Sequence, residues 1–398
     1  MNKRGPALMD KKISNEYIVF TIFISAGIML RFIAMSLGHN YDFESYCVVG
    51  EIAGNLKNVY ANTVRYNYGP IFFMIQGTLY RLAQVRPHEW VSVFRVLIVS
   101  ILTVTDLAIT AFVARRYSLR KAIVFFINPV SIIITGLHNQ FDNMAILFAL
   151  LSILFYNEDE EFTKKDAGFV AMFTVSLVTK HIMFMLPLFL LVKKGLPLKK
   201  KALYAFVPPI LFLLSFVPFV INNRDAFNGV KDNVFLYRSM HNAPLLKYFY
   251  DLIHFPESGI FVVYLLMMAA FAFVVRKWTF EKIVLTYLIA MVCFSSAVAN
   301  QYLAIPMVAL CVLDVGIFNK LYMLVVTIFL LLHKNGVGIY TRIIRVNYKG
   351  TDLSKRVYWY VKNGYTFAAW VLLFALIYVV LSEYGKLPKR DRVDRSES

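Results

Sequence analysis

The chain is poor in most of what a soluble enzyme of its length uses. Its 398 residues contain three cysteines, Cys47, Cys293 and Cys311. The number is odd and no Cys-x-x-Cys occurs, so neither a disulfide framework nor a zinc site can be read from it. No P-loop, GxGxxG, HExxH or GxSxG pattern is present. ATP-driven transport, a Rossmann-type nucleotide-sugar site and serine hydrolysis therefore lose support. Internal repeats, Gly/Ser linkers and low-complexity tracts are absent too. Charge is scarce: 17% of residues are Asp, Glu, Lys or Arg, against about a quarter in soluble domains. Acidic residues are scarcest, 24 against 42 Lys and Arg, for a net charge of +18. Those cations are divided among short segments between apolar runs, which excludes a nucleic-acid interface. In a membrane protein such segments usually face the cytoplasm and meet anionic lipid.

What remains is 59% hydrophobic and 16% aromatic, the composition of a polytopic, all-α membrane protein. A crossing needs roughly 20 apolar residues. Runs of that kind lie near 17–37, 91–114, 120–137, 142–156, 203–221, 258–275, 280–298, 301–317, 319–333 and 365–382. The first is not followed by a small-residue cleavage site and reads as an anchor. The run 167–192 is broken by Lys180-His181 and Pro187, and reads either as one tilted helix or as two short helices in a hairpin. Lys3, Arg4, Lys11 and Lys12 put the N-terminus inside. A hairpin over 167–192 then keeps Lys193, Lys194 and Lys199 to Lys201 inside as well, and is preferred. The result is about twelve membrane segments. They form one domain over 1–385, with external loops at 38–90 and 222–257 and a charged cytoplasmic tail at 386–398. The segment 334–364 falls outside although it carries seven cations. Either the topology fails there or the cations have a partner, for which an anionic lipid headgroup would serve.

The stretch Asn40 to Pro70, NYDFESYCVVGEIAGNLKNVYANTVRYNYGP, interrupts this hydrophobic chain directly after its first span. A tight turn between spans needs only a few residues, so a long polar, aromatic loop suggests a site at the membrane surface. Asp42 and Glu44 are the acid/base candidates. In an extended segment they would point to one side, and a carboxylate near an apolar surface can act as a general base. The alternative is that they cap the following helix. His138, Asn139, Gln140 and Asp142 crowd a turn between two spans. They either satisfy helix ends or offer hydrogen bonds to sugar hydroxyls. The 222–257 loop carries Arg224, Lys231, Arg238, His241 and Lys247 among aromatics, in a stretch like an amphipathic surface helix. Its cations either grip phosphate or snorkel. Arg95 and Asp106 lie on roughly one helix face, and Asp314 reads as structural.

The order of these motifs resembles a known pattern: Asp42 in a long first external loop, Tyr66-x-Tyr68-Gly69-Pro70, then NP…GLHNQFDN, Lys180-His181 and a late ANQYLAIP. It is similar to the GT-C superfamily of integral-membrane glycosyltransferases. The nearest likeness is to mannosyltransferases related to the first GPI mannosyltransferase and to dolichyl-phosphate-glucose transferases. The resemblance implies a GT-C-like fold and inverting transfer of a hexose, with mannose favoured. The donor would be a polyprenyl-phosphate sugar and the acceptor a glycan or glycolipid at the external face. It implies a base in the first external loop. Asp42 matches best and Glu44 second, since this chain has Asp-Phe-Glu where relatives show Asp-Tyr or Asp-Asp. By position it implies substrate contacts at Arg65, Tyr66, Tyr68, His138, Asn139, Gln140, Asp142, Gln301 and Tyr302. Lys180, His181, Arg224, Arg238 and His241 would face the donor phosphate. It implies no nucleotide at that face and no certain cofactor; a divalent cation is compatible but not implied. The partners are membrane lipid and the two substrates, and the small size suggests a prokaryotic plasma membrane rather than the endoplasmic reticulum. Competing readings are a transporter or flippase for a lipid-linked sugar, an inactive glycolipid-binding scaffold, and a polysaccharide polymerase.

Overall fold

A computed structural model describes residues 6–236 and 243–385, with side chains from residue 16 onward. The expected phosphate ligands Arg238 and His241, and the 386–398 tail, lie outside the described residues. The protein is all-helical, about 77% helix, with no strand among the described residues. Five helical stretches are long and apolar enough to cross a bilayer: Glu16–Ser36, Pro87–Arg116, Leu198–Val220, Glu257–Val275 and Asp352–Glu383. Two bent pairs raise the number to seven if each is one crossing. By length and composition, then, the expected twelve are not reached. The physical reason is breakage. The 120–137 run divides at Asn128-Pro129 with a bend of 50°; the 167–192 run divides at Lys180, where the sequence already placed a break, with a bend of 111°. The runs at 142–156, 301–317 and 319–333 fold as apolar helices of 10–17 residues. At 1.5 Å per residue these are shorter than a hydrocarbon core of about 30 Å.

The order of elements follows from local signals. Helix α1 (Pro6–Ser36) exposes Tyr17, Ile22, Met29 and Ile33, the all-round apolar surface of a lipid-facing span. Asn40 then caps α2 (Tyr41–Gly54), its side chain accepting from the Asp42 N–H. Asn58 caps the short α3 (Val59–Asn62), and Pro70 opens α4 (Pro70–Ala83) at its first turn. Helix α5 (Trp90–Arg116) crosses, followed by α6 (Leu119–Ile127) and α7 (Pro129–Gly136). Asn128 caps α7 by accepting from the Ser131 N–H at 2.7 Å. Helices α8 (Asp142–Phe155) and α9 (Lys164–Thr179) form a packed pair, and Thr163 with Asp166 makes a capping box on α9. After Lys180 come α10 (Leu186–Val192), α11 (Leu198–Leu214), α12 (Val217–Val220) and α13 (Arg224–Gly229). The rest is α14 (Lys247–Ile253), α15 (Glu257–Val275), α16 (Phe280–Cys293), α17 (Met307–Val312), α18 (Phe318–Leu332), α19 (Arg345–Asn347) and the long α20 (Asp352–Glu383).

The bundle has two chemically different ends. At one, cations meet carboxylates and carbonyls from distant segments. Arg116 pairs with Glu281 at 2.6 Å, Lys193 with Glu158 at 3.0 Å and Lys200 with Asp166 at 2.9 Å. Lys282 pairs with Glu383, and the Lys194 N–H donates to the Arg276 carbonyl. Lys193 and Lys200 therefore lie at the same end as the start of α9. The chain after α9 returns to the end it left, as a hairpin over 167–192 requires. The opposite end gathers amides, imidazoles and aromatics.

Between the ends, α1 and α5 are joined by a buried charge pair. Arg31 and Asp106 are both fully buried, 2.9 Å apart. Arg31 also donates to the Gly27 and Phe126 carbonyls and to Ser131, while Asp106 accepts from Thr135 and Asn143. Gly136 lets α7 approach α1, since a Cβ there would fall 2.4 Å from the Arg31 carbonyl oxygen. Asp106 thus pairs with α1, whereas Arg95, on the same helix, donates to the Gly38 carbonyl and to Asn139. With every donor and acceptor held, the pair reads as a structural joint. Arg31→Met strands the Asp106 charge and is expected to cost about 3–5 kcal/mol. Thermal denaturation in detergent measures this, and adding Asp106→Asn is expected to recover much of the loss.

Candidate functional site

At the amide-rich end, three segments distant in sequence meet around Asp42. Asn40 and Gln140 both reach the same carboxylate oxygen, Oδ2: Asn40 Nδ2 donates at 2.9 Å and Gln140 Nε2 at 2.7 Å. No described residue holds Oδ1. Asn40 Nδ2 is also 3.3 Å from His138 Nδ1, and the Tyr46 hydroxyl donates to Gln140 Oε1 at 3.3 Å. Asp42 lies in the first turn of α2 and is not its cap; Asn40 fills that role. The carboxylate is half-buried and its pKa is raised above the ordinary 3.8. Burial is the main cause, opposed by the charge of Lys180 and the amide hydrogen bonds and reinforced by Asp142.

The extended reading of Asp42 and Glu44 does not hold. Both sit on a helix, where residues two apart diverge, and Glu44 is exposed. The carboxylate whose charge acts on Asp42 is that of Asp142, which opens α8. Lys180 meets Asp142 Oδ2 at 2.8 Å, and both side chains are almost wholly buried. The Lys180 ammonium also lies 4.8 Å from the ring centres of Tyr68 and Phe141 and 6.0 Å from that of Tyr302. Phe141 is stacked on Phe72 at 3.6 Å. Backbone geometry sets this up. Asn139 adopts a left-handed conformation (φ 59°), and its side chain closes the end of α7 by donating to the Gly136 carbonyl at 2.8 Å. Lys180 sits in extended backbone between α9 and the next turn. Gly69 faces it: a Cβ there would lie 2.0 Å from the Val178 carbonyl oxygen. That close approach holds Tyr68 against Lys180.

Three buried polar atoms in this cluster have no hydrogen-bond partner among the described residues: His138 Nε2, Asp142 Oδ1 and His181 Nδ1. Buried polar atoms are nearly always paired, so unpaired ones gathered in one place mark where a ligand's polar groups would fit. The His138 imidazole is pushed down to about 4 by burial and by His333, and is neutral near pH 7. His333 belongs to a second knot: Asn300 Nδ2 lies 3.2 Å from His333 Nδ1, and the Tyr365 hydroxyl donates to Asn300 Oδ1. The late Asn300-Gln301-Tyr302 motif is thereby joined to the His138 turn, with Gln301 and Tyr302 half-buried.

Other expected residues stand apart or serve structure. Tyr66 is fully buried and holds its own loop, donating to the Gly69 carbonyl at 2.6 Å and accepting from the Phe73 N–H. Arg224 is exposed on α13 with no described partner. Arg65 covers the Tyr41 ring at 4.6 Å. It also lines a groove of about 610 Å³ between the 38–90 loop and α13, together with Asn62, Thr63, Asp225 and Asn228. Asn40, Tyr46, His333 and Tyr365 were not singled out from sequence. Asn40 and Tyr46 had a signal, lying in the same polar stretch as Asp42, whereas His333 and Tyr365 look like ordinary ends of apolar runs. Among the described residues no group of three or more His, Cys, Asp or Glu side chains could hold a metal ion.

A carboxyl whose pKa rises on folding stabilises the fold fully below its unfolded pKa, and that contribution is lost as pH rises through the folded value. At neutral pH an ionised Asp42 therefore opposes folding. Asp42→Asn keeps an acceptor for both amides and is expected to raise the melting temperature at pH 7, with the gain shrinking on acidification. A fall at pH 7 would show that the carboxylate's charge stabilises this end of the bundle. Comparison of the chain with protein-family models, with curated proteins and with solved structures finds no match.

Proposed function

We propose that the protein is an integral-membrane glycosyltransferase that moves a hexose, mannose favoured, from a polyprenyl-phosphate donor to a glycan or lipid-linked acceptor at the external face. The observation that carries the reading is the Asp42 carboxylate. It is half-buried, its pKa is raised, and it is held through one oxygen by two amides next to a buried ammonium. Such a group suits a general base, because a raised pKa brings it closer to the proton it must accept. Asp42 Oδ1 takes the proton from an acceptor hydroxyl. The hydroxyl oxygen attacks C1 of the donor sugar, the C1–O bond to phosphate breaks, and the configuration at C1 inverts. The leaving group is a phosphate monoester, which a neighbouring ammonium such as Lys180 stabilises as charge develops. No nucleotide is needed at that face. The unpaired atoms of His138, Asp142 and His181 would receive sugar hydroxyls.

The fold that accompanies this reading is a GT-C-like domain of about twelve membrane segments, in which the bent pairs and the shorter apolar helices each count as membrane-embedded. The plasma membrane is its proposed location. A transporter would place charged groups near the bilayer midplane for its substrate; here the buried Arg31–Asp106 pair is fully hydrogen-bonded among the described residues.

Incubating membranes that contain the protein with a panel of radiolabelled polyprenyl-phosphate sugars tests the reading. Transfer is expected from one of them. Asp42→Asn is expected to reduce it by at least about 10²-fold with membrane insertion intact, while Glu44→Gln leaves it near wild type. The rate should fall with a one-proton slope as pH drops through the raised pKa of Asp42. Full activity in Asp42→Asn would remove Asp42 as the base.

A further inference from the structure

We infer that the segment 334–362 is a docking surface for the headgroups of anionic phospholipids. It connects α18 to the start of α20 and is anchored at both feet to the end of the bundle that carries Asp42. At one foot His333 meets Asn300; at the other, Tyr248 donates to Asn363 and Tyr365 to Asn300. Between the feet stand Lys334, Arg342, Arg345, Lys349, Lys355, Arg356 and Lys362, all exposed, against a single acidic residue, Asp352. Among the described residues only Lys355 has an ion-pair partner, Asp352 at 3.9 Å. So many like charges on one short segment repel one another unless something outside the chain neutralises them.

The length of α20 places the segment. Its 32 residues span about 48 Å, and Glu383 is tied to Lys282 at the opposite end. A hydrocarbon core of about 30 Å takes up the apolar part, so the first three turns stand in the headgroup layer. There Lys355, Tyr358, Trp359 and Lys362 fall at i, i+3, i+4 and i+7, one exposed stripe of cation, two aromatics and cation. Tyr358 is 55% exposed and Trp359 57%. Ile343, Val346 and Leu353 are also exposed nearby. Free phosphate would neutralise the cations but leave the aromatic and aliphatic side chains in water. The interface of an anionic bilayer receives both: indole and phenol rings settle at headgroup depth, and Lys and Arg pair with lipid phosphates.

The test uses the full-length protein in detergent micelles doped with equal amounts of phosphatidylglycerol and phosphatidylcholine, with retained lipid counted by native mass spectrometry. At about 0.1 M salt wild type is expected to retain at least about threefold more phosphatidylglycerol, a preference that fades as salt rises. The variant R342Q/R345Q/K349Q/K355Q/K362Q is expected to lose the preference with its helical circular dichroism unchanged. The charge-preserving variant R342K/R345K/K355R/K362R is expected to keep it. No preference in wild type, a preference that survives the glutamine variant, or loss in the charge-preserving variant would overturn the inference. So would displacement of phosphatidylglycerol by millimolar inorganic phosphate, which would mark a phosphate pocket instead.

Discussion

The Lys180–Asp142 pair fixes the geometry on which the candidate site depends. An ammonium and a carboxylate almost wholly removed from water are costly to bury, and they persist where each compensates the other. Their contact joins the break after α9 to the start of α8. It stands in an aromatic shell of Phe141, next to Asp142, and of Tyr68 and Tyr302 from two other parts of the chain. Removal of either partner would leave an isolated charge among rings. The hairpin bend at Lys180, the left-handed Asn139 and the close approach at Gly69 are the backbone conditions that let the pair form.

The two ends of the bundle solve the same problem by different means. Helix termini leave backbone groups unpaired, and the membrane offers little water to satisfy them. One end uses long cations that reach carboxylates and carbonyls, as in Lys193–Glu158 and Lys200–Asp166. Trp278 Nε1, at this end, is buried without a hydrogen-bond partner among the described residues. The other end uses short amides and imidazoles, and leaves His138 Nε2, Asp142 Oδ1 and His181 Nδ1 unpaired. A cluster of unpaired buried polar atoms has stability to gain from a ligand.

Asp42 shows the cost of that arrangement. Burial raises its pKa, so its ionised form works against the fold. The two amides on Oδ2 offset part of this and leave Oδ1 available. A carboxylate kept at the expense of stability is common where chemistry needs it. The same comparison separates it from Arg31–Asp106, where every oxygen and nitrogen is held and nothing is left to react.

Composition and run length determined that the chain is helical and carries helices long and apolar enough to cross a membrane, because about 20 apolar residues in a row have few other fates. Sequence also marked the NYDFESY, HNQFD and Lys180-His181 clusters, since polar residues stand out between apolar runs. Run length did not determine how many runs cross, because Asn128-Pro129 breaks a helix that hydropathy alone joins. Nor did it reveal the partners. His333 and Tyr365 carry no local mark, and Tyr46 none beyond its cluster; they matter through Asn300 and Gln140, far away along the chain. Whether Asp42 or Glu44 faces inward was a question of helix against extended chain. Only the capped first turn of α2, packed on the turn before α8, decided it, because the side-chain direction of a helical residue is set by what its helix lies against.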